Sequence, residues 1–181
     1  MASVKIKQPH GGQGDLRIIG GQWRSRKLSF PEAPGLRPTP DRVRETLFNW
    51  LAAHIEGAKV LDAFTGSGAL YLEALSRGAG MALALDANAS AISSLRHNLD
   101  LLGCAVGQLL QSDALKYLET QTPSAFDLVF LDPPFHQNLL PATCTLLEEK
   151  GWLAERAWIY TESEAPPSAL QLPATWRLHR E

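Results

Sequence analysis

The sequence predicts an α/β fold in which a mostly parallel sheet is covered by helices on both faces. Three observations support this prediction. Apolar, strand-like runs alternate with amphipathic helical stretches from residue 59 onward, glycines follow the first helical stretches, and several strand-like runs lead into an aspartate. The chain has 181 residues, enough for one domain with a small appendage, and 45% of them are hydrophobic, enough for a real core.

Three segments are predicted along the chain. Residues 1–15 are expected to form a disordered tail, because they are rich in glycine and have little to bury. Residues 16–38 form a small basic N-terminal extension, in which 16–19 and 27–30 could pair as a hairpin before a proline-rich connector. Residues 39–181 form the α/β domain.

The first helix of that domain is predicted to begin sharply. Thr39 can cap it, Pro40 suits the first helical position, and Asp41 favours the positive end of the helix dipole. Arg44 and Phe48 are expected on a neighbouring face, free for other contacts. The buried face is predicted to consist of Val43, Leu47, Trp50 and Leu51.

Strands and helices then alternate, as in units that build a parallel sheet. Gly78 and Gly103 end the first two of these helices. The predicted helices cover residues 69–77, 89–102 and 139–149. The predicted strands cover residues 60–61, 81–85, 108–111, 126–131 and 157–161, with a sixth beginning over 176–179.

Charge is unevenly distributed. Residues 1–44 carry nine Lys and Arg against three Asp and Glu, although the whole chain has a net charge of only −2. A basic arm on an acidic body favours a polyanionic partner; a solvated tail that binds nothing is the alternative. Trp23 and Phe30 lie among the cations and favour nucleic acid. The predicted RNA-binding residues are Arg17, Trp23, Arg24, Arg26, Lys27, Arg37, Arg42 and Arg44.

Several classes of protein are disfavoured by the sequence. The sequence has no run of about 18 apolar residues and no N-terminal signal-like segment, so we expect a cytoplasmic protein without membrane contact. Its two cysteines lie far apart and form no metal-ligand spacing, so no metal is expected. A monomer is the default expectation.

Ligands of open α/β sheets bind beyond the carboxyl ends of the strands, and Asp62, Asp86, Asp113 and Asp132 follow four predicted strands. Asp86 could accept from both hydroxyls of a ribose, Asp113 from the amine of an adenine, and Asp62 from an ammonium group. Such a set fits S-adenosylmethionine. The predicted cofactor-binding residues are Asp62, Phe64, Gly66, Ser67, Gly68, Asp86, Ala87, Asp113 and Ala114.

Other ligand classes fit the glycine turn less well. Tyr71 stands where a dinucleotide site would need its third glycine, and the lysine-containing phosphate loop is absent. Gly66 and Gly68 are therefore interpreted as positions where the backbone approaches a ligand closely.

The tetrapeptide Asp132-Pro133-Pro134-Phe135 is predicted to be catalytic. Asp132 and the Pro133 carbonyl would accept hydrogen bonds from an aryl amine, and Phe135 would stack on its ring. Without the preceding strand and the aspartate, such a segment would be interpreted as a loop packed on the core. Neither Cys104 nor Cys144 follows a proline at a strand end, which disfavours methylation of a ring carbon.

The segments 17–28, 36–51, 62–68, 73–79 and 132–135 resemble the bacterial RsmD family, whose members are 16S rRNA guanine-N2 methyltransferases acting at guanine 966. The resemblance implies a Rossmann-like class I fold dependent on S-adenosylmethionine. It also implies a partner, 16S rRNA within the small ribosomal subunit or its assembly intermediate.

This sequence departs from the family pattern in two places. Ala63 and Thr65 replace more usual residues, and the sequence stops before the last strand of the family, so that strand is expected to be missing. Two other functions stay open at this point: adenine-N6 methylation of DNA or RNA, and a non-catalytic rRNA-binding assembly factor.

Overall fold

The computed structural model describes residues 12–34 and 36–181, which form a small hairpin sheet and a parallel five-stranded sheet. The hairpin consists of β1 (Gln13–Arg17) and β2 (Lys27–Pro31). The large sheet has the order β5-β4-β3-β6-β7. Its strands are β3 (Lys59–Asp62), β4 (Met81–Asp86), β5 (Gly107–Gln111), β6 (Phe126–Leu131) and β7 (Leu153–Thr161). The helices are α1 (Asp41–Trp50), α2 (Ala69–Ser76), α3 (Ala89–Leu102), α4 (Ala114–Thr120) and α5 (Leu139–Glu149).

Helices cover both faces of the large sheet, and strand alternation divides the core into two layers. Val60, Ala84 and Phe130 face one layer, with α1, α2, α3 and the hairpin. Leu61 and Val129 face the other layer, with α4 and α5. The predicted α/β architecture is confirmed.

The hairpin begins earlier than predicted. β1 starts at Gln13, so residues 13–15 belong to a strand and not to a tail, because Gln13 pairs with Pro31 and Asp15 with Ser29. The rest of the predicted tail, up to residue 11, lies outside the described residues. The antiparallel pairing of 16–17 with 27–28 agrees with the prediction.

The predicted buried face of α1 is confirmed for Leu47 and Leu51 and wrong for Val43 and Trp50. Val43 and Trp50 are 40% and 39% exposed, whereas Arg44 and Phe48 are buried. Phe48 packs against Phe130, with ring centroids 5.8 Å apart. The inner face of the helix differs from the prediction because it includes Arg44, which forms a buried ion pair, as well as apolar side chains.

Glu73 on α2 is the other partner of that ion pair and holds the hairpin to the domain. This fully buried carboxylate accepts from the backbone N–H groups of Ile19 and Gly20 at 3.0 and 2.8 Å. It also pairs with Arg44 at 3.4 Å and Arg77 at 2.8 Å. Arg44, at 1% exposure, is therefore not an RNA contact in this structure: its charge is used inside the protein.

Three further expectations change. Thr39 does not cap α1; its hydroxyl donates to Glu162 instead, and the helix starts after Pro40 without a side-chain cap. Helix α4 was not predicted. Residues 176–179 form no strand, because the Trp176 indole donates to Glu148 at the end of α5.

Within the described parts of the chain, no helix is both long enough and apolar enough to cross a membrane.

Candidate active site

Four carboxylates line the carboxyl edge of the sheet. The register pairs Asp62 with Ala84 on β4 and with Phe130 on β6, and pairs Leu131 with Thr161 on β7. The next pair after Leu131 and Thr161 is Asp132 and Glu162. Because side chains alternate between the two faces along each strand, all four project from one face of the sheet. Across the sheet they form a carboxylate row in the order Asp86, Asp62, Asp132 and Glu162.

Asp62 is the most enclosed member of this row, at 2% exposure. Burial raises its pKa to about 7 despite a hydrogen bond from the Thr65 hydroxyl at 3.0 Å, and the charges of Asp132 and Asp86 raise that pKa further. The charges of Asp132 and Asp86 disfavour ionisation of Asp62, so a cation placed beside Asp62 would be stabilised.

The glycine turn connects β3 to α2 and adopts a left-handed backbone at Gly66 and Gly68, with φ of 51° and 81°. A Cβ on Gly68 would lie 2.1 Å from Leu95 Cδ2, and one on Gly66 would lie 2.8 Å from Leu36 Cδ1. Both glycines are thus required by the backbone and by packing within the protein. Phe64 at the start of the turn is half-buried and Ser67 is buried.

Asp86 ties this turn to the end of β4. One oxygen, Oδ2, accepts from the Gly66 N–H at 2.9 Å, and Oδ1 accepts from the Asn88 N–H at 2.8 Å. Each carboxylate oxygen retains a lone pair for a ligand. Ala87, the next residue, is exposed.

Asp113 lies at the same edge but has a structural task. Its side chain caps α4 by accepting from the Lys116 N–H at 2.8 Å, and the buried Ala114 begins that helix. The Ser112 N–H donates to the Asp86 backbone carbonyl at 3.0 Å and keeps this loop against β4. The exposed Asp113 carboxylate has one oxygen without a protein partner in the described chain.

The tetrapeptide after β6 lies beside the carboxylate row. Burial raises the pKa of Asp132 to about 7, and the charge of Glu162 contributes to the same shift. Phe135 is 55% exposed, although it is large and apolar. A cavity of about 410 Å³ is lined by Pro133, Pro134 and Phe135 on one side and by the chain after β7, including Glu162, on the other.

Glu162 is the site residue that sequence reasoning missed. It follows a predicted strand, so the rule that selected the four aspartates would have selected it too. Its Oε1 accepts from the Tyr160 hydroxyl at 3.0 Å and from the Thr39 hydroxyl at 3.5 Å.

Most of the predicted RNA-binding cations are exposed: Arg24, Arg26, Lys27, Arg37 and Arg42. Arg17 is exposed as well but pairs with Asp41 at 3.1 Å. Trp23 is half-buried and packs against the core, so only part of its surface is open to RNA.

Among residues 12–34 and 36–181, no three His, Cys, Asp or Glu side chains are arranged to hold a metal ion.

Comparison with known proteins identifies the family. A family model described as conserved hypothetical protein 95 matches residues 16–181. Ribosomal RNA small subunit methyltransferase D of Escherichia coli K12 is 51% identical over 177 residues, covering 97% of this chain and 89% of that protein. The solved structure of the Escherichia coli methyltransferase yhhF is 50% identical, with a TM-score of 0.85 over 92% of this chain and 91% of that one.

A more distant structure supports the fold alone. The Thermus thermophilus 16S rRNA N2 G1207 methyltransferase, solved with AdoMet and guanosine, matches with a TM-score of 0.64 at 20% identity, over 83% of this chain and 41% of that one. The fold is thus that of the methyltransferases that use S-adenosylmethionine. The chain belongs to the RsmD family, that of the ribosomal RNA small subunit methyltransferase D proteins.

Proposed function

We propose that this protein transfers a methyl group from S-adenosylmethionine to the exocyclic N2 of a guanine in 16S rRNA. One observation carries the proposal: Asp132 stands in the carboxylate row, and the three residues that follow it, up to the exposed Phe135, line a cavity of about 410 Å³. An acceptor for an amine and a stacking face for its ring thus lie next to a site that favours a cation. The name of the 51% identical relative supports the rRNA substrate.

The residues present fit the cofactor. Asp62 is a buried carboxyl group with its pKa raised to about 7, so a nearby positive charge would relieve an unfavourable ionisation. We assign Asp62 to the ammonium group, Asp86 to the ribose hydroxyls and the free oxygen of Asp113 to the adenine amine. Phe64, Gly66, Ser67, Gly68, Ala87 and Ala114 would line the rest of the site.

The bound cofactor supplies a methyl carbon on a positively charged sulfur, which retains the electron pair of the bond that breaks. The residues of this chain act on the amine. Hydrogen bonds from its N–H groups to the Asp132 carboxylate and the Pro133 carbonyl orient the nitrogen lone pair, which forms the new N–C bond. The nitrogen then loses one proton, which Asp132 accepts and passes to water; a pKa near 7 suits this role.

Phe135 supplies the stacking surface for the target base. Extruding a stacked base costs a few kcal/mol, and stacking on an aromatic side chain returns roughly 1–3 kcal/mol. The exposed cations of the hairpin and connector would contact RNA phosphates. We propose that a monomer in the cytoplasm acts on the small subunit or its assembly intermediate.

The test uses labelled S-adenosylmethionine and small subunits that lack the modification. The rRNA is digested and the labelled nucleoside identified: N2-methylguanosine is expected, N6-methyladenosine would indicate the adenine reaction, and no label would indicate an assembly factor. Asp132→Ala should abolish transfer yet keep cofactor binding. Asp127→Ala is the matched control, because this exposed aspartate lies at the opposite end of β6.

A further inference from the structure

Glu162 stands beside the proposed catalytic acceptor on the neighbouring strand. Its N–H donates to the Leu131 carbonyl at 2.8 Å, which continues the parallel ladder by one residue beyond β7. The carboxylate of Glu162 raises the pKa of Asp132, so the two side chains interact electrostatically. Adjacent strands lie about 4.8 Å apart, and one planar base can therefore contact both carboxylates.

The Glu162 side chain is held by one oxygen only. Oε1 accepts from the Tyr160 and Thr39 hydroxyls, which fix the orientation of the group. No donor to Oε2 is found in the described chain, and Glu162 lines the cavity together with Pro133, Pro134 and Phe135. An oriented carboxylate with a free oxygen, on a residue that lines the cavity, is suited to accept a hydrogen bond from a ligand.

We propose that Glu162 selects guanine by accepting a hydrogen bond from its N1–H while Asp132 accepts from the adjacent N2 amine. The inference rests on the proposed function. Guanine carries two donors side by side on this edge, N1–H and the N2 amine, and two neighbouring carboxylates complement them. Adenine presents an acceptor at N1 beside its amine, so its lone pair would face the Glu162 oxygen and be repelled.

The sharpest probe is 2,6-diaminopurine. This base keeps the 2-amino group that is methylated but has an acceptor at N1, as adenine has. Small subunits would be reconstituted with 16S rRNA carrying either guanine or 2,6-diaminopurine at the target position. The ratio of kcat/KM for the two substrates reports on the changes at N1 and at C6, where the oxo group becomes an amine, and the part that depends on Glu162 reports on the contact at N1.

The wild-type protein should prefer guanine by about 10- to 100-fold, the usual discrimination of one good base-edge contact. Glu162→Gln should abolish or reverse the preference, because the amide NH2 that then faces N1 can donate to the N1 acceptor of 2,6-diaminopurine but cannot accept from the N1–H of guanine. The Gln oxygen can still accept from Tyr160 and Thr39, so the fold should be kept. Glu164→Gln is the charge-matched control: Glu164 lines the same cavity but pairs with the exposed His136 at 3.2 Å.

Each outcome is decisive. Equal kcat/KM for guanine and 2,6-diaminopurine in the wild-type protein overturns the inference without any variant. A Glu162→Gln protein that loses activity on both substrates with an unchanged ratio overturns it too, since Glu162 would then be only structural. If the wild-type protein labels neither base, the proposed function fails and the inference with it. If guanine is labelled at N2 but the ratio of kcat/KM is the same in the wild-type and Glu162→Gln proteins, only the inference fails.

Discussion

Ionisation of Asp132 should control methyl transfer at slightly acidic pH. Burial and the charge of Glu162 raise the pKa of this group to about 7 in the free protein. The other titratable groups around it are Asp62 on β3, Asp86 on β4 and Tyr160 on β7. Since only the carboxylate can accept the proton from the amine, the rate should fall as pH is lowered through the pKa.

The size of the fall follows from that pKa. At pH 6 about one tenth of Asp132 is ionised, so this group alone should lower kcat/KM about tenfold below its value at pH 8.5. Asp62 also has a pKa of about 7 and must ionise to hold the cofactor's ammonium group. When both groups are required, the logarithmic slope below pH 7 should exceed one and approach two.

The assay is kcat/KM for small subunits between pH 5.5 and 8.5, at a cofactor concentration below saturation so that the groups of the free protein are reported. Asp132→Asn cannot ionise; we expect it to be about 10²- to 10⁴-fold slower at pH 8, with a slope reduced to one by the remaining Asp62. Asp127→Asn is the control and should keep the wild-type profile. A wild-type rate that stays flat to pH 5.5, or an unchanged slope in Asp132→Asn, would refute the assigned role of Asp132.

Three further predictions concern stability and RNA. Asp62→Asn should raise the free energy of unfolding at pH 8 by a few kcal/mol and leave it unchanged near pH 4, because the folded-state pKa of about 7 exceeds the usual aspartate pKa of 3.8 and stability is lost as pH rises between them; equal melting-temperature changes at both pH values would contradict this. Glu73→Gln should cost up to about 3–5 kcal/mol in urea unfolding, since the buried Arg44 would keep only the exposed Asp41 as an ionic partner, whereas a loss below about 1 kcal/mol would show the Arg44–Glu73 pair to be unimportant. Arg24→Gln should weaken small-subunit binding and lower the salt dependence by about one phosphate contact at unchanged melting temperature; an unchanged salt slope would exclude Arg24 from the RNA surface.

The order of strands and helices was predictable because long elements carry their own periodicity. The inner face of α1 was not fully predictable, since the burial of Arg44 depends on its pairing with Glu73, which lies 29 residues later on α2. Helix α4 has seven residues, too few for a clear periodic signal, and its capping Asp113 was interpreted as a ligand residue alone. The Trp176 segment resembled a strand, yet its indole binds α5, a contact that local sequence does not reveal.

The part of the site that lies at the carboxyl ends of the parallel strands was predictable from the sequence. Residues at the carboxyl ends of such strands meet at one edge, and this rule placed Asp62, Asp86 and Asp132 correctly in one row. The sequence could not show that Gly68 also makes room for Leu95, because that contact joins residues distant in sequence. It also could not show that the Tyr160 hydroxyl orients Glu162 two residues later.

The N-terminal extension contacts both halves of the cleft, and this bears on how the base is positioned. Leu36 lies next to Gly66 on the cofactor side, and Thr39 donates to Glu162 on the side of the proposed base pocket. Glu73 meanwhile fixes the start of the extension to α2. A flexible basic tail would raise the local concentration of RNA but could not orient it. Because the extension is fixed near its start and where it joins the domain at Thr39, RNA bound to its exposed cations would be held at a defined distance from Asp132, which is what a reaction that depends on alignment requires.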